Sequence, residues 1–327
     1  MIKTRIGFIG AGGIAERHLG NLQGFADTRV VALADPAVER ARAAAARCDA
    51  RAYERYEEML ECERLDALYI CVPPFAHGPL ERAAIERHLP FFVEKPLAID
   101  LEVAEAIACQ IAANGLVTAV GYHWRYLDIT ERAHELLDAK PAHLVLGYWL
   151  DRTPPRAWWV RQAQSGGQII EQTTHIFDLA RLLVGEVGSV HAVESYVERP
   201  AFPSTDVSDV SVATLRFASG AIGAIASTSL LNWAHRIGLH LFCDSMALEL
   251  SEFDLIVDIG RGRPLQRARG DPFIHEDRDF IDAVQGKDNH IRAPYVEALR
   301  SHRLATMAAR AAREGRTIAL GQAGPHV

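Results

Sequence analysis

Cysteine is scarce in this chain, and its five copies, Cys48, Cys62, Cys71, Cys109 and Cys243, form no Cys-x-x-Cys pair. Such spacing argues against both a disulfide framework and a thiolate zinc centre. Clusters of basic residues are missing as well. The 35 Lys and Arg are interleaved with 42 Asp and Glu, as in Glu39-Arg40-Ala41-Arg42, and the formal charge is -7, so no nucleic-acid partner is expected. No apolar run reaches the length of a membrane span, and no membrane partner is expected. The opening Met-Ile-Lys-Thr-Arg lacks the apolar core of a secretory signal, which makes the cytoplasm the expected compartment. There is no internal repeat.

What is present is ordinary globular usage: 327 residues, 49% hydrophobic and 24% charged, enough for two well-buried domains. From residue 2 to about 121, β-rich runs alternate with helical patterns, the mark of a parallel sheet. Six strands are expected, at 2–9, 29–34, 50–53, 67–72, 91–94 and 117–121. Asp100 caps a crossover helix whose apolar face carries Val103, Ala104, Ile107, Ala108 and Ile111 and which stops at Asn114-Gly115. Beyond Gly121 the style changes. A polar helix (129–139), a strand (143–150), a Pro/Trp/Arg-rich loop and a helix (172–184) lead into strand-like runs at 187–198, 207–217, 221–229, 236–243, 246–251 and 255–259. Turn signals join these runs, which predicts an open, mostly antiparallel sheet. Two helices, 272–285 and 295–313, close the chain. The expected division is a first domain at 1–121 and a second at 122–327, with helix 295–313 a candidate to pack back on the first.

The segment Gly10-Ala11-Gly12-Gly13-Ile14-Ala15 is a G-x-G-x-x-A loop lying directly after a strand and before a helix. Gly10 permits the turn, Gly12 lets the backbone approach a pyrophosphate, Ala15 allows close helix packing, and Gly13 and Ile14 offer helix N-terminal N–H groups. Asp35 ends the second strand, where a carboxylate accepts bonds from ribose hydroxyls and repels a 2′-phosphate. NAD is therefore expected over NADP, although Arg40 lies close enough in sequence to offset part of that repulsion. Loop, strand, helix and acid together predict a doubly wound Rossmann domain, α/β in class.

Pro73, His77, Glu94 and Lys95 fall at the C-terminal ends of the fourth and fifth strands, the edge at which such sheets bind ligands. All four are expected beside the cofactor. In the second domain Glu171, His175 and Asp178 are spaced by four and three, so on a helix they share a face within an apolar stretch. Buried carboxylates flanking a histidine suggest a proton-handling site, and a structural polar cluster is the competing reading. A metal site on Glu171 and His175 lacks a third ligand, and none is expected.

Taken in order, the Gly10–Ala15 loop, Pro73 to His77, Glu94-Lys95-Pro96, Val120 to Tyr126, Trp158-Trp159 with Ser165-Gly166-Gly167, and His175 resemble the glucose-fructose oxidoreductase and inositol dehydrogenase family, Gfo/Idh/MocA. The resemblance implies a dehydrogenase acting on a sugar, inositol or related polyol. It maps Lys95 and His175 onto the family's catalytic pair and puts Glu171 where many members carry Asp. His123 stands where Asn is common, and His123, Arg125, Trp158, Trp159, Arg161 and Asp178 are the expected substrate contacts. On this reading His175 takes a hydroxyl proton, Lys95 stabilises the oxygen, and Glu171 or Asp178 orients the imidazole, with the choice of formal base between Lys95 and His175 open. A redox-neutral glycosidase using bound NAD, and a non-catalytic NAD sensor or scaffold, are the alternatives. An open sheet face further suggests a homodimer or homotetramer.

Overall fold

The computed structural model describes residues 3–321. The chain divides into two compact units: one runs to Ala98 and adds Glu102–His123 and Asp271–Glu297, and the other comprises Ile99–Leu101, Trp124–Gly270 and the chain from Ala298 on.

The first unit is built on six strands, β1 (Thr4–Ile9), β2 (Thr28–Ala34), β3 (Arg51–Tyr53), β4 (Ala67–Ile70), β5 (Phe91–Val93) and β6 (Thr118–Val120). They lie in the order β3-β2-β1-β4-β5-β6, every pair parallel. Strand order reverses between β1 and β4, which leaves a crevice outside their carboxyl ends. All six runs match the sequence expectation; Ile2, placed in the first of them, lies outside the described residues. β4, β5 and β6 are buried at every position, as strands covered on both faces must be. Phe8, Tyr69 and Phe92, from three adjacent strands, stack at 4.9 and 5.0 Å on one face. The 271–297 segment extends this unit: Phe280 and Ile281 of helix Pro272–Val284 enter the core with Phe8 and Tyr69, and Val120 N–H donates to Ala293 O at 2.9 Å. Helix Pro272–Val284 thus belongs to the first unit. From Ala298 onward helix Tyr295–Glu314 belongs to the second unit, because Leu304, Ala305 and Ala308 pack into that unit's core.

Among its described residues the second unit carries a nine-stranded sheet of β7 (Ala142–Arg152), β8 (Val187–Ser195), β9 (Val210–Phe217), β10 (Ile222–Leu231), β11 (Arg236–Cys243), β12 (Met246–Leu250), β13 (Asp254–Asp258), β14 (Leu265–Arg267) and β15 (Ile318–Ala319). The order is β14-β13-β12-β11-β7-β10-β9-β8-β15, antiparallel except where β7 and β10 run parallel. Burial alternates strictly along β9, so one face of the sheet meets the core and the other meets solvent. The expected helix 172–184 divides. Gln168–Glu171 forms one turn, Gln172 and Thr173 interrupt it, and Thr174–Val184 follows as a helix buried nearly all round. Two successive β-branched threonines favour the break.

Candidate functional site

The glycine loop leaves β1 at Gly10, whose N–H donates to Ala34 O at 2.8 Å. Gly10 has φ +94°, and a Cβ there would lie 2.2 Å from Cys71 O, so only glycine fits. Helix Gly13–Gly24 starts directly after Gly12 with no side-chain cap. Its first N–H groups, those of Gly13 and Ile14 included, have no acceptor within the helix and present the positive end of the helix dipole. A Cβ added at Gly12 would meet nothing within 4 Å, which leaves open space above the loop. Asp35 stands at the end of β2, accepting from Ala11 N–H at 2.9 Å on Oδ2 and from Ala37 N–H at 2.8 Å on Oδ1. Each oxygen keeps a lone pair for a ribose hydroxyl. These groups fit a dinucleotide: a tight turn, an anion-binding helix end and a carboxylate one strand over.

Pro73 and Lys95 are half-buried at the carboxyl ends of β4 and β5. His77 and Glu94 are both buried. His77 is fully buried, its Nδ1 2.6 Å from Glu81 Oε1, while Glu81 Oε2 accepts Gly78 N–H at 2.5 Å, so the pair closes the turn into helix Pro79–Glu86. Glu94 is likewise turned inward. Its Oε1 lies 3.0 Å from His18 Nε2 and its Oε2 accepts Lys95 N–H at 3.2 Å.

The sequence reading missed the group behind Glu94. His18 Nδ1 lies 2.7 Å from Asp277 Oδ1, Asn21 Nδ2 donates to Asp277 Oδ2 at 2.8 Å, and Glu276 sits beside them fully buried. Burial disfavours a charged ring, but Asp277 and then Glu94 outweigh it, and the His18 pKa is raised well above its usual value. Burial also pushes the Glu276 carboxyl well above the usual carboxylate range. Donor atoms of His18, Glu94 and Glu276 lie within 4.8 Å of one another, a spacing compatible with a cation. Both ring nitrogens of His18 already face carboxylates, however, so the cluster reads as a hydrogen-bonded charge network. A signal was available: His18, Glu276 and Asp277 sit on the buried stripes of their helices, at positions where the sequence pattern calls for apolar residues.

In the second unit, His175 is buried on helix Thr174–Val184, its ring stacked 5.7 Å from that of Trp149. Glu171 lies before the break in the helix, where its Oε2 accepts Trp159 Nε1–H at 2.8 Å. Trp159 is fully buried and supports Glu171; Trp158 is half-buried. Arg125 and Asp178 meet each other. Arg125 donates Nε and Nη2 to the two Asp178 oxygens at 2.8 and 2.7 Å, Ser301 Oγ donates to Oδ1 at 2.5 Å, and both charged partners are buried. An ion pair closed in this way holds the two side chains against each other. Arg161 is exposed and donates to Ser204 O at 2.6 Å. In the first unit, His123 stacks on Phe273 at 4.2 Å.

Loop, strand order and acidic strand end define a dinucleotide-binding domain, here followed by an open-sheet domain. The chain belongs to the GFO/IDH/MocA family of oxidoreductases: residues 4–122 match its NAD-binding Rossmann fold and residues 140–249 its C-terminal domain. It is 29% identical to the uncharacterized oxidoreductase YrbE of Bacillus subtilis (strain 168), over 67% of this chain and 65% of that protein. With inositol 2-dehydrogenase of Rhizobium meliloti (strain 1021) it shares 27% identity over 97% of this chain and 99% of that one. The solved structure of levoglucosan dehydrogenase in complex with NADH superimposes with a TM-score of 0.85 at 20% identity, covering 98% of this chain and 100% of that chain.

Proposed function

We propose that this protein is an NAD-dependent dehydrogenase of a secondary hydroxyl on an inositol, sugar or related polyol. The observation that carries the reading is the glycine loop at the β1 end with Asp35 one strand over and Lys95 two strands along the same sheet edge. Gly10, Gly12, Gly13, Ile14 and Asp35 would hold the dinucleotide, with Pro73 at its border. When bound, NAD supplies the hydride acceptor. Lys95 holds the substrate oxygen and stabilises the negative charge that develops on it, while His175 takes the hydroxyl proton. Glu171, fixed by the Trp159 indole, orients that imidazole. His123, Trp158 and Arg161 remain the proposed substrate contacts.

The test is NAD and NADP reduction against a panel of inositols, polyols, aldoses and sugar acids. NADH formation with one of these is expected, and Lys95→Ala and His175→Ala are expected to abolish it while leaving NAD binding intact. Near-normal turnover in either variant would remove that residue from the mechanism. Cleavage of a glycoside without net NADH would replace the dehydrogenase reading, and saturation by NAD with no turnover across the panel would point to a sensor.

We further propose a cytoplasmic homo-oligomer assembled through the solvent face of the nine-stranded sheet. Among the described residues no helix is long and apolar enough to cross a membrane.

A further inference from the structure

The buried cluster of the first unit lies directly behind the lysine assigned to the chemistry. His18 is wholly buried between two carboxylates, Asp277 on one ring nitrogen and Glu94 on the other. Ionised carboxylates only accept hydrogen bonds, so contact with both requires both ring nitrogens to donate, and the ring is an imidazolium. Its raised pKa agrees with that geometry. The far oxygen of Glu94 accepts the backbone N–H of Lys95. Glu94 is also wedged from the side: a Cβ on Gly121 would lie 2.6 Å from its Oε1. An unbroken set of contacts therefore runs from helix Gly13–Gly24, whose first turn abuts the dinucleotide loop, through His18 and Glu94 to the Lys95 backbone. Asp277, steadied by Asn21, grips the ring from helix Pro272–Val284. Glu276, buried without a hydrogen-bond partner, adds a third carboxyl group beside the ring.

We propose that His18 and Asp277 are positioning residues for Lys95: the ring clamped by Asp277 holds the Glu94 carboxylate, and that carboxylate fixes the Lys95 backbone for the reaction. The inference rests on the assignment of Lys95 to the chemistry. Neither His18 nor Asp277 touches substrate, so their loss lowers the rate through geometry, and a small misplacement of a reacting group is enough to slow an enzyme severely.

The test uses the full chain with His18→Gln and Asp277→Asn, and Lys95→Met as the control. Three quantities are read: the NAD dissociation constant by titration with NAD itself, hydrogen exchange of the Lys95 amide in the NAD-free protein, and kcat and KM for the polyol that the panel identifies. His18→Gln is expected to bind NAD within about twofold of wild type, to exchange the Lys95 amide faster, and to lose about tenfold or more in kcat with little change in KM. Asp277→Asn, which still accepts from the ring, is expected to fall between His18→Gln and wild type. Wild-type kcat or unchanged Lys95 exchange in folded His18→Gln overturns the proposal, as does a rate loss that merely tracks weaker NAD binding. If His18→Gln does not fold, Asp277→Asn is read by the same criteria. If neither folds, the cluster is a folding element and the proposal fails. A Lys95→Met variant with wild-type turnover overturns the assignment of Lys95 itself, whereas an inactive Lys95→Met beside an unimpaired His18→Gln overturns only the positioning role.

Discussion

Two glycines a pair of positions apart answer to different constraints. Gly10 is fixed by the fold: its φ of +94° and the 2.2 Å approach of Cys71 O leave no room for a side chain. Gly10→Ala is expected to cost at least about 1–3 kcal/mol in strain alone and to lower the thermal midpoint with or without NAD. Gly12 meets nothing within 4 Å and starts its helix at an ordinary φ of −85°, so Gly12→Ala should leave the midpoint near wild type and weaken NAD binding instead. Equal destabilisation by the two would refute the distinction, and calorimetry of the NAD-free variants decides it. The loop was legible in the sequence because its spacing encodes backbone conformation. The buried partners of Glu94 and His77 were not legible for the opposite reason: position at a strand end says nothing about which way a carboxylate or imidazole turns.

At the scale of elements, helix Thr174–Val184 is almost wholly buried, and charges on such a helix must be matched inside it. The pairing of Asp178 with Arg125 and Ser301 satisfies this. Removing one partner, as in Asp178→Asn or Arg125→Met, is expected to cost about 3–5 kcal/mol in urea unfolding, whereas the double variant Arg125→Met/Asp178→Leu should recover much of it. If the double variant is as unstable as the sum of the singles, the pair is not the reason. The four-and-three spacing from Glu171 hinted at shared chemistry, but periodicity could not reveal the break at Gln172 and Thr173. Strands β14 and β15 escaped notice too, being three and two residues long and too short to carry a pattern. Helix Pro272–Val284 carries a pH-dependent tie: Arg278 donates to Asp27 at 2.9 Å and, as the main cause, lowers the Asp27 pKa from 3.8 to about 2. A depressed folded-state pKa means that this contribution is complete above the ordinary value and is lost as pH falls towards the folded one. Asp27→Asn should therefore lower the urea midpoint at pH 7 and match wild type near pH 2; an equal deficit at both would remove the tie.

For the whole molecule, the doubly wound order and the change of style after Gly121 were legible because alternating β and helical runs restrict topology. The return of 271–297 was not, since a helix pattern specifies an apolar face without naming the core that receives it. The solvent face of the nine-stranded sheet bears on assembly. Register places Val193 beside Val212, Val212 beside Ala226 and Ala226 beside Tyr148, and Leu144 beside Ile222, so apolar side chains run across four neighbouring strands. Val193 and Ile222 are 55% and 50% exposed, and a contiguous apolar face of this kind is more often covered by protein than left in water. A second copy of the chain is the proposed cover, through an interface on the order of 800 Å² per partner. Light scattering of the wild type is expected to give a multiple of 36.0 kDa, and Val212→Glu, which places a charge mid-face on a strand whose other side keeps its core packing, is expected to return the 36.0 kDa chain with its NAD affinity intact. A wild type that scatters as 36.0 kDa would refute assembly altogether, and a Val212→Glu variant that remains associated would move the interface to another surface.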